Sequence, residues 1–489
     1  MTEPTAPSAS SPVEMRPGRL LHNFGFLSAG KLLGDLCTFG LFVVLSRAFG
    51  EAGIGEYSFA IAFTGFFMVF ADYGLYYLGL KNMSRSEAVP THEYAQVLAV
   101  RLVLSSLAFF SLLPVVLFMP FSYETKAVLI LIGAFQVLYT IVDGFATVFL
   151  ARDSTPWAAL LELSLRVAVA AAGIAAVAAG ASLVVTVATM PLICLAGTGF
   201  AYLLVRWRFG HLRPRTSWPQ LIRTLREATP YAGSMFLQQL STRTDVALLG
   251  ILAGTVAAGV YNVAYRVVFL LQYVPYLGSV AILPSAARLY AADQRAALAT
   301  LYHGTVNLAV VVGIPAAAGL WLIGPELIAL LFGSGFARSG EVLRWLSVLL
   351  LFACLKHLLS LFLTACDRQG QRTRCEWRAA LINVVGNLAL IPAFGLAGAV
   401  AATLFSEAML VIAFIVQLRP LFGWPRTGSR LAMSLAGTGV FCGAIALLPS
   451  PSLFLVVPLS IGLYLATLML FRDFRHHEIA TVMGFMRGR

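Results

Sequence analysis

The chain sets ionisable side chains inside long apolar runs: Lys31, Asp35, Asp72, Asp143, Glu162, Arg166, Arg243, Asp245, Arg266, Lys356, His357 and Glu407. A charge at the centre of a membrane helix costs about 2.5–3.5 kcal/mol even on the lenient insertion scale, so such residues face a wet cavity or a partner. Helical spacing sorts them. Lys31 and Asp35 are four apart, as are Glu162 and Arg166, so each pair shares a face and can neutralise itself. Arg243 and Asp245 are two apart and point in different directions, while Arg266 has no acid three or four positions away. These cations must find an anion on another helix or in a ligand. Guanidinium forks and ammonium groups hold phosphate oxygens, which makes Lys31, Arg243, Arg266 and Lys356 the candidate substrate-binding residues. The plainer alternative is a structural pair with Asp35, Asp72 or Asp245. An intramembrane carboxylate can also carry a proton or a sodium ion, so Asp35, Asp143 and Asp245 are the candidate ion-coupling residues, ahead of His357. Asp72, near the end of its run, reads first as a helix-terminus residue.

The elements that must position these groups are helices. Of the 489 residues, 59% are hydrophobic and 11% charged, with mean hydropathy +0.84. Run after run reaches the roughly 20 apolar residues that a bilayer crossing requires. The expected fold is an all-α integral membrane protein with about fourteen transmembrane helices. The net charge of +12 could suggest nucleic acid, but the basic residues fall in alternate loops. Arg206, Arg208, Arg213, Arg215, Arg223 and Arg226 crowd one such loop, and Arg368, Arg372, Arg374 and Arg378 another. The intervening loops carry little beyond Arg47, Lys126 and Arg338. This asymmetry predicts both termini in the cytoplasm and no nucleic-acid partner. No cleavable signal peptide is expected ahead of the first span.

A short pattern occurs twice. Leu45, Gly50, Gly55, Tyr57 and Ala60 return as Leu249, Gly254, Gly259, Tyr261 and Ala264, each pair 204 residues apart. Together with the charge asymmetry, the repeat predicts two parallel, pseudo-symmetric six-helix lobes. The expected organisation is a disordered tail over 1–19, a first lobe over 20–207 and a cytoplasmic amphipathic linker over 208–228. A second lobe over 229–419, two additional helices over 420–472 and a tail over 473–489 complete it. In the linker Trp218, Leu221, Ile222 and Leu225 recur at helical spacing, opposite Arg223 and Arg226. Pro191, Pro275, Pro284 and Pro315 interrupt spans and are candidate bends. The six cysteines form no C-x-x-C pair and read as reduced thiols, and no metal site, cofactor or catalytic residue is expected.

The stretch Leu45-Ser-Arg-Ala-Phe-Gly-Glu-Ala-Gly-Ile-Gly-Glu-Tyr-Ser-Phe-Ala resembles the end of span one in polysaccharide transporters of the multidrug/oligosaccharidyl-lipid/polysaccharide flippase superfamily. Phe70-Ala-Asp-Tyr-Gly-Leu resembles their span two. Arg243-Thr-Asp-Val-Ala-Leu-Leu-Gly with Gly259-Val-Tyr-Asn-Val-Ala-Tyr-Arg resembles their span seven to eight junction. Leu331-Phe-Gly-Ser-Gly-Phe and Gly395-Leu-Ala-Gly-Ala-Val-Ala-Ala resemble later spans. The resemblance implies a flippase of the bacterial inner membrane that moves undecaprenyl-pyrophosphate-linked oligosaccharide to the outer leaflet by alternating access, driven by protons or sodium. It places spans one, two, seven and eight at a central cleft, where the cations would meet a pyrophosphate. Other polysaccharide-assembly membrane proteins are expected partners. The alternatives are a lipid II flippase or cation-coupled multidrug exporter of the same superfamily, and a membrane glycosyltransferase or polymerase.

Overall fold

A computed structural model of the chain describes residues 17–84, 91–151, 155–210, 214–447 and 453–470. Of the expected tails, residues 1–16 and 473–489 lie outside the described residues. The long elements are all helical: α1 (Pro17–Asp72), α2 (Leu75–Ser84), α3 (Thr91–Phe118), α4 (Tyr123–Ala151), α5 (Thr155–Ala178), α6 (Leu183–Phe209), α7 (Trp218–Leu252) and α8 (Thr255–Leu271). They continue as α9 (Tyr273–Ala291), α10 (Arg295–Phe332), α11 (Ala337–Leu346), α12 (Val348–Ala365), α13 (Gln369–Phe422), α14 (Gly428–Ala446) and α15 (Leu453–Leu470). Among the described residues ten stretches are long and apolar enough to cross a membrane.

Two elements are too long for one crossing. As straight rods the 56 residues of α1 and 54 of α13 would run about 80 Å at 1.5 Å per residue, against a hydrocarbon core of about 30 Å. Both turn back. Gly50 breaks α1 at φ +65°, a left-handed value open to glycine, and the Phe42 and Tyr57 rings then lie 6.3 Å apart. Gly395 breaks α13 in the same way, bringing Gly386 against Ala402. A total of fourteen requires counting α1 and α13 twice and adding α7 and α15. The described apolar part of α15 is the short Val456–Thr467.

Of the prolines expected to bend spans, Pro275 coincides with a break. It has no N–H to offer Leu271, and α8 ends there. Helices α6, α9 and α10 run on through Pro191, Pro284 and Pro315. The stretch expected as a separate linker up to residue 228 forms one continuous helix, α7, with the residues expected as the next span, passing Pro230. Its start is fixed by Ser217, whose N–H donates to Gln220 Oε1 at 3.1 Å.

Helices α3 to α6 pack with one another and with α1; α9 to α13 pack with one another and with α7; α14 and α15 pack together beside α10. The two groups meet where α1 and α2 face α7 and α8. At one end of this seam the repeated motif touches itself. A Cβ on Gly259 would stand 2.6 Å from the Cα of Gly55, and Asn262 Nδ2 donates to Ser58 Oγ at 2.8 Å. Both contacts join positions 204 apart. Arg47 closes the same end, donating to the Leu331 carbonyl at 2.8 Å and the Leu330 carbonyl at 2.5 Å, groups left open where α10 terminates.

At the other end the chain breaks between α1 and α2. Tyr73 takes φ +46° and Gly74 φ +79°. There Gly74 abuts Tyr231 and Ala232 of α7, the Tyr77 and Tyr231 rings stack at 6.2 Å, and Gln96 Nε2 donates to Thr224 Oγ1 at 3.2 Å. An alanine at Gly74 would be strained by its φ, at about 1–2 kcal/mol, and would set a Cβ 2.6 Å from that of Tyr231. Gly74→Ala is therefore expected to lower the melting temperature of the purified protein more than Gly50→Ala, which has the φ problem but nothing within 4 Å. Equal melting shifts would count against a tight contact here.

Candidate functional site

The seam encloses a cavity of only about 30 Å³, lined by Asp35, Phe39, Arg266, Phe269, Leu270 and Tyr273. That is room for water, not for a sugar. Arg266 of α8 stacks its guanidinium 4.9 Å from the Phe42 ring centre. Arg243 of α7 stands within electrostatic range of Arg266. Among the described residues neither guanidinium makes an ion pair or a hydrogen bond, and both are half-buried. Two like charges are thus held near one another without a bonded counter-ion, Asp35 being the carboxylate within electrostatic range of Arg266.

Asp35 of α1 is held from two sides. Arg166 Nη1 of α5 pairs with its Oδ1, and the Tyr273 hydroxyl of α9 donates to its Oδ2. Arg166 also pairs with Glu162 at 2.7 Å, the i, i+4 pair expected from spacing, but its second partner on α1 is not visible in that spacing. Lys31 does not pair with Asp35. It is exposed and, among the described residues, has no polar partner. The proposed substrate contact Lys356 is occupied within its own half of the molecule: its Nζ lies 2.9 Å from Glu407 Oε1, with both side chains about three-quarters buried. An ammonium so paired would have to be released before it could meet an anion.

Asp245 sits in a nest of neutral donors. Its Oδ1 accepts from Asn383 Nδ2 at 3.0 Å and Asn387 Nδ2 at 2.7 Å, and its Oδ2 accepts from the Tyr261 and Thr403 hydroxyls at 2.8 Å each. Four strands of helix converge on one carboxylate: α7, α8 and both arms of α13. Among the described residues no cation neutralises it. Asn383 and Asn387 escape a search for charges, although two asparagines four apart in an apolar run are a signal of the same kind.

Asp143 and Asp72 belong to a third cluster, around Arg101 of α3. Arg101 is absent from the charges that the sequence pattern singles out, although, like Arg266, it lies in an apolar run with no acid three or four positions away. It is one of the most buried side chains, at 2% exposure. Its Nη2 lies 2.5 Å from Asp72 Oδ1, its Nη1 donates to the Thr140 carbonyl at 2.5 Å, and Asp143 Oδ2 stands 3.9 Å away. Asp72 is the last residue of α1, where a negative charge opposes the helix dipole, so the guanidinium is its stabilising partner.

The sequence pattern of the polysaccharide biosynthesis protein family matches residues 20–289, more than half of the chain, and that of the MatE family matches residues 230–389. The probable flippase AglR of Haloferax volcanii is 30% identical over 180 residues, which cover 36% of this chain and 37% of the relative. The probable low-salt glycan biosynthesis flippase Agl15 of the same organism is 24% identical over 229 residues, covering 46% and 48%. The chain thus aligns with less than half the length of these curated relatives. In fold it is similar to the lipid II flippase MurJ in an inward closed conformation, with a TM-score of 0.72 at 16% identity over 91% of this chain and 99% of that one. An inward-facing multidrug resistance MATE transporter gives 0.60 at 15% identity over 82% and 96%.

Proposed function

This multi-pass membrane protein belongs to the polysaccharide biosynthesis protein family, and on that premise we propose that it is a flippase for polyprenyl-pyrophosphate-linked oligosaccharide. The observation that carries the reading is the pair Arg243 and Arg266, two half-buried guanidiniums at the seam without an ion-paired carboxylate. A diphosphate offers what they lack, and guanidinium forks suit its oxygens. Lys31, exposed on the same face of the chain as Asp35, is the third cation available to it. Asp35 is the resident anion near Arg266, so an arriving diphosphate would compete with it and loosen its hold on Arg166 and Tyr273, which lie on opposite sides of the seam.

The charge asymmetry of the loops orients the reading, with the Gly74 end towards the cytoplasm and the Gly55 end outward. The lipid-linked sugar would enter when α2 parts from α7 and leave when α1 parts from α8. A basic seam does not suit a cationic drug, which favours a flippase over a drug exporter.

Asp245 is the proposed coupling residue, since it is an intramembrane carboxylate that no cation neutralises among the described residues. The test is transport of a fluorescent lipid-linked sugar in proteoliposomes under an imposed proton or sodium gradient. Wild-type protein is expected to translocate faster with one of the two gradients, and Asp245→Asn to lose that acceleration. Translocation by Asp245→Asn that responds to the gradient as before would remove Asp245 from coupling. No translocation of the labelled lipid by wild-type protein under either gradient would overturn the flippase reading.

A further inference from the structure

The cluster around Arg101 is unbalanced: two carboxylates, Asp72 and Asp143, share one guanidinium. The Asp72 side chain is 6% exposed, and among the described residues both of its buried carboxylate oxygens lack a hydrogen-bond partner, Oδ1 being held by its ion pair with Arg101 alone. The Asp143 side chain is 36% exposed. Immediately after Asp72 the backbone enters the left-handed region at Tyr73 and Gly74, a conformation that a tyrosine holds only when its surroundings impose it. That break is the surface on which Tyr231 and Ala232 of α7 rest.

We propose that Asp72, Arg101 and Asp143 form a proton-binding site that controls closure at the Gly74 end of the seam. The proton adds to the Asp143 carboxylate. The neutral acid then leaves Arg101 and Asp72 as a one-to-one pair, Asp72 is anchored, and the Tyr73–Gly74 break keeps the shape that receives Tyr231. When Asp143 gives up its proton, two anions compete for one guanidinium. Arg101, now 3.9 Å from Asp143, is drawn into contact with it, Asp72 loses its anchor at a helix end that disfavours negative charge, and the strained break relaxes. A metal cation is the poorer ligand here, because it would have to sit beside a guanidinium that already holds the Thr140 carbonyl.

The charged and titratable neighbours of Asp143 come from helices α1 to α5. Asp72 belongs to α1, Tyr76 to α2, Arg101 to α3, Tyr139 to α4 itself, and Glu162 and Arg166 to α5. Helix α6 carries charge only at Arg206 and Arg208 in its last turn, and brings the Tyr202 ring against Phe145, two residues from Asp143. Glu162 and Asp35 share Arg166 in the same two-to-one ratio, so no surplus cation from that side relieves Asp143.

The proposal rests on the flippase reading only for calling this end a gate. Its test uses no substrate, so its failure leaves that reading standing. Hydrogen exchange of residues 73–84 is measured in the vesicle-reconstituted full chain at pH 6 and pH 8, corrected for intrinsic rates. Wild-type protein is expected to be protected about tenfold more at pH 6. Asp143→Asn, which mimics the protonated acid, is expected to be protected at both pH values, and Asp143→Glu to restore the pH dependence. A wild-type pH response in Asp143→Asn overturns the proposal. So does a wild-type response that follows replacement of sodium by choline at fixed pH.

Discussion

Arg266→Gln and Arg243→Gln are each expected to slow translocation of the lipid-linked sugar roughly tenfold to a hundredfold at subsaturating substrate, since a charge-assisted hydrogen bond contributes about 1.5–3 kcal/mol. The double variant is expected at background. The expectation for stability has the opposite sign. The two guanidiniums lie within range of each other with no bonded counter-ion, so removing one relieves repulsion and desolvation. Each single variant should therefore melt no lower than wild type while failing to transport. A variant that transports normally would eliminate the cationic seam as the diphosphate site. One that melts several degrees lower would assign its arginine to packing. Lys356→Gln supplies the contrast: it strips Glu407 of its partner, so it should cost stability first.

Gly259→Leu is expected to reduce translocation to background by a different route. Gly259 adopts ordinary helical geometry, so the substitution meets no backbone strain. Its side chain would be driven into the Gly55 backbone, 2.6 Å from that Cα and 3.0 Å from the Glu51 carbonyl. Backbone cannot swing aside as a side-chain tip can, so α1 and α8 are wedged apart at this end. A cysteine placed at Ser58 should then react with a membrane-impermeant thiol reagent added from outside at least about tenfold faster than in the unwedged protein, where it is sealed against Asn262. Gly278→Leu in α9, with nothing within 4 Å, is the control and should transport normally. Normal transport by Gly259→Leu would show that this end need not close.

The duplicated motif was legible as geometry because a repeat of fixed length puts equivalent residues at equivalent depths. What the repeat could not convey is that the two copies touch. Charges were legible one helix at a time. Glu162 with Arg166 follows from i, i+4 spacing, but Arg166 reaching Asp35 crosses 131 residues, and Arg101 reaching Asp72 crosses from one span to the next. Pairing between helices depends on their relative rotation, which hydropathy does not encode. Lys31 shows the same limit from the other side: its spacing offers Asp35, and Arg166 takes it. The nest around Asp245 stayed hidden for a chemical reason, being built from amides and hydroxyls that a search for ionised groups passes over.

Gly55 against Gly259 and Ser58 against Asn262 show what a single chain allows where a repeat meets itself. A residue on a twofold axis meets its own counterpart, so in a dimer of identical chains any side chain added there collides with itself. Glycine is the residue that meets itself without adding volume. In a single chain the two copies of the motif are free to differ. Ser58 and Asn262 use the freedom: an amide now donates to a hydroxyl across the axis, a directed pair that two identical subunits could not have made with different residues on each side.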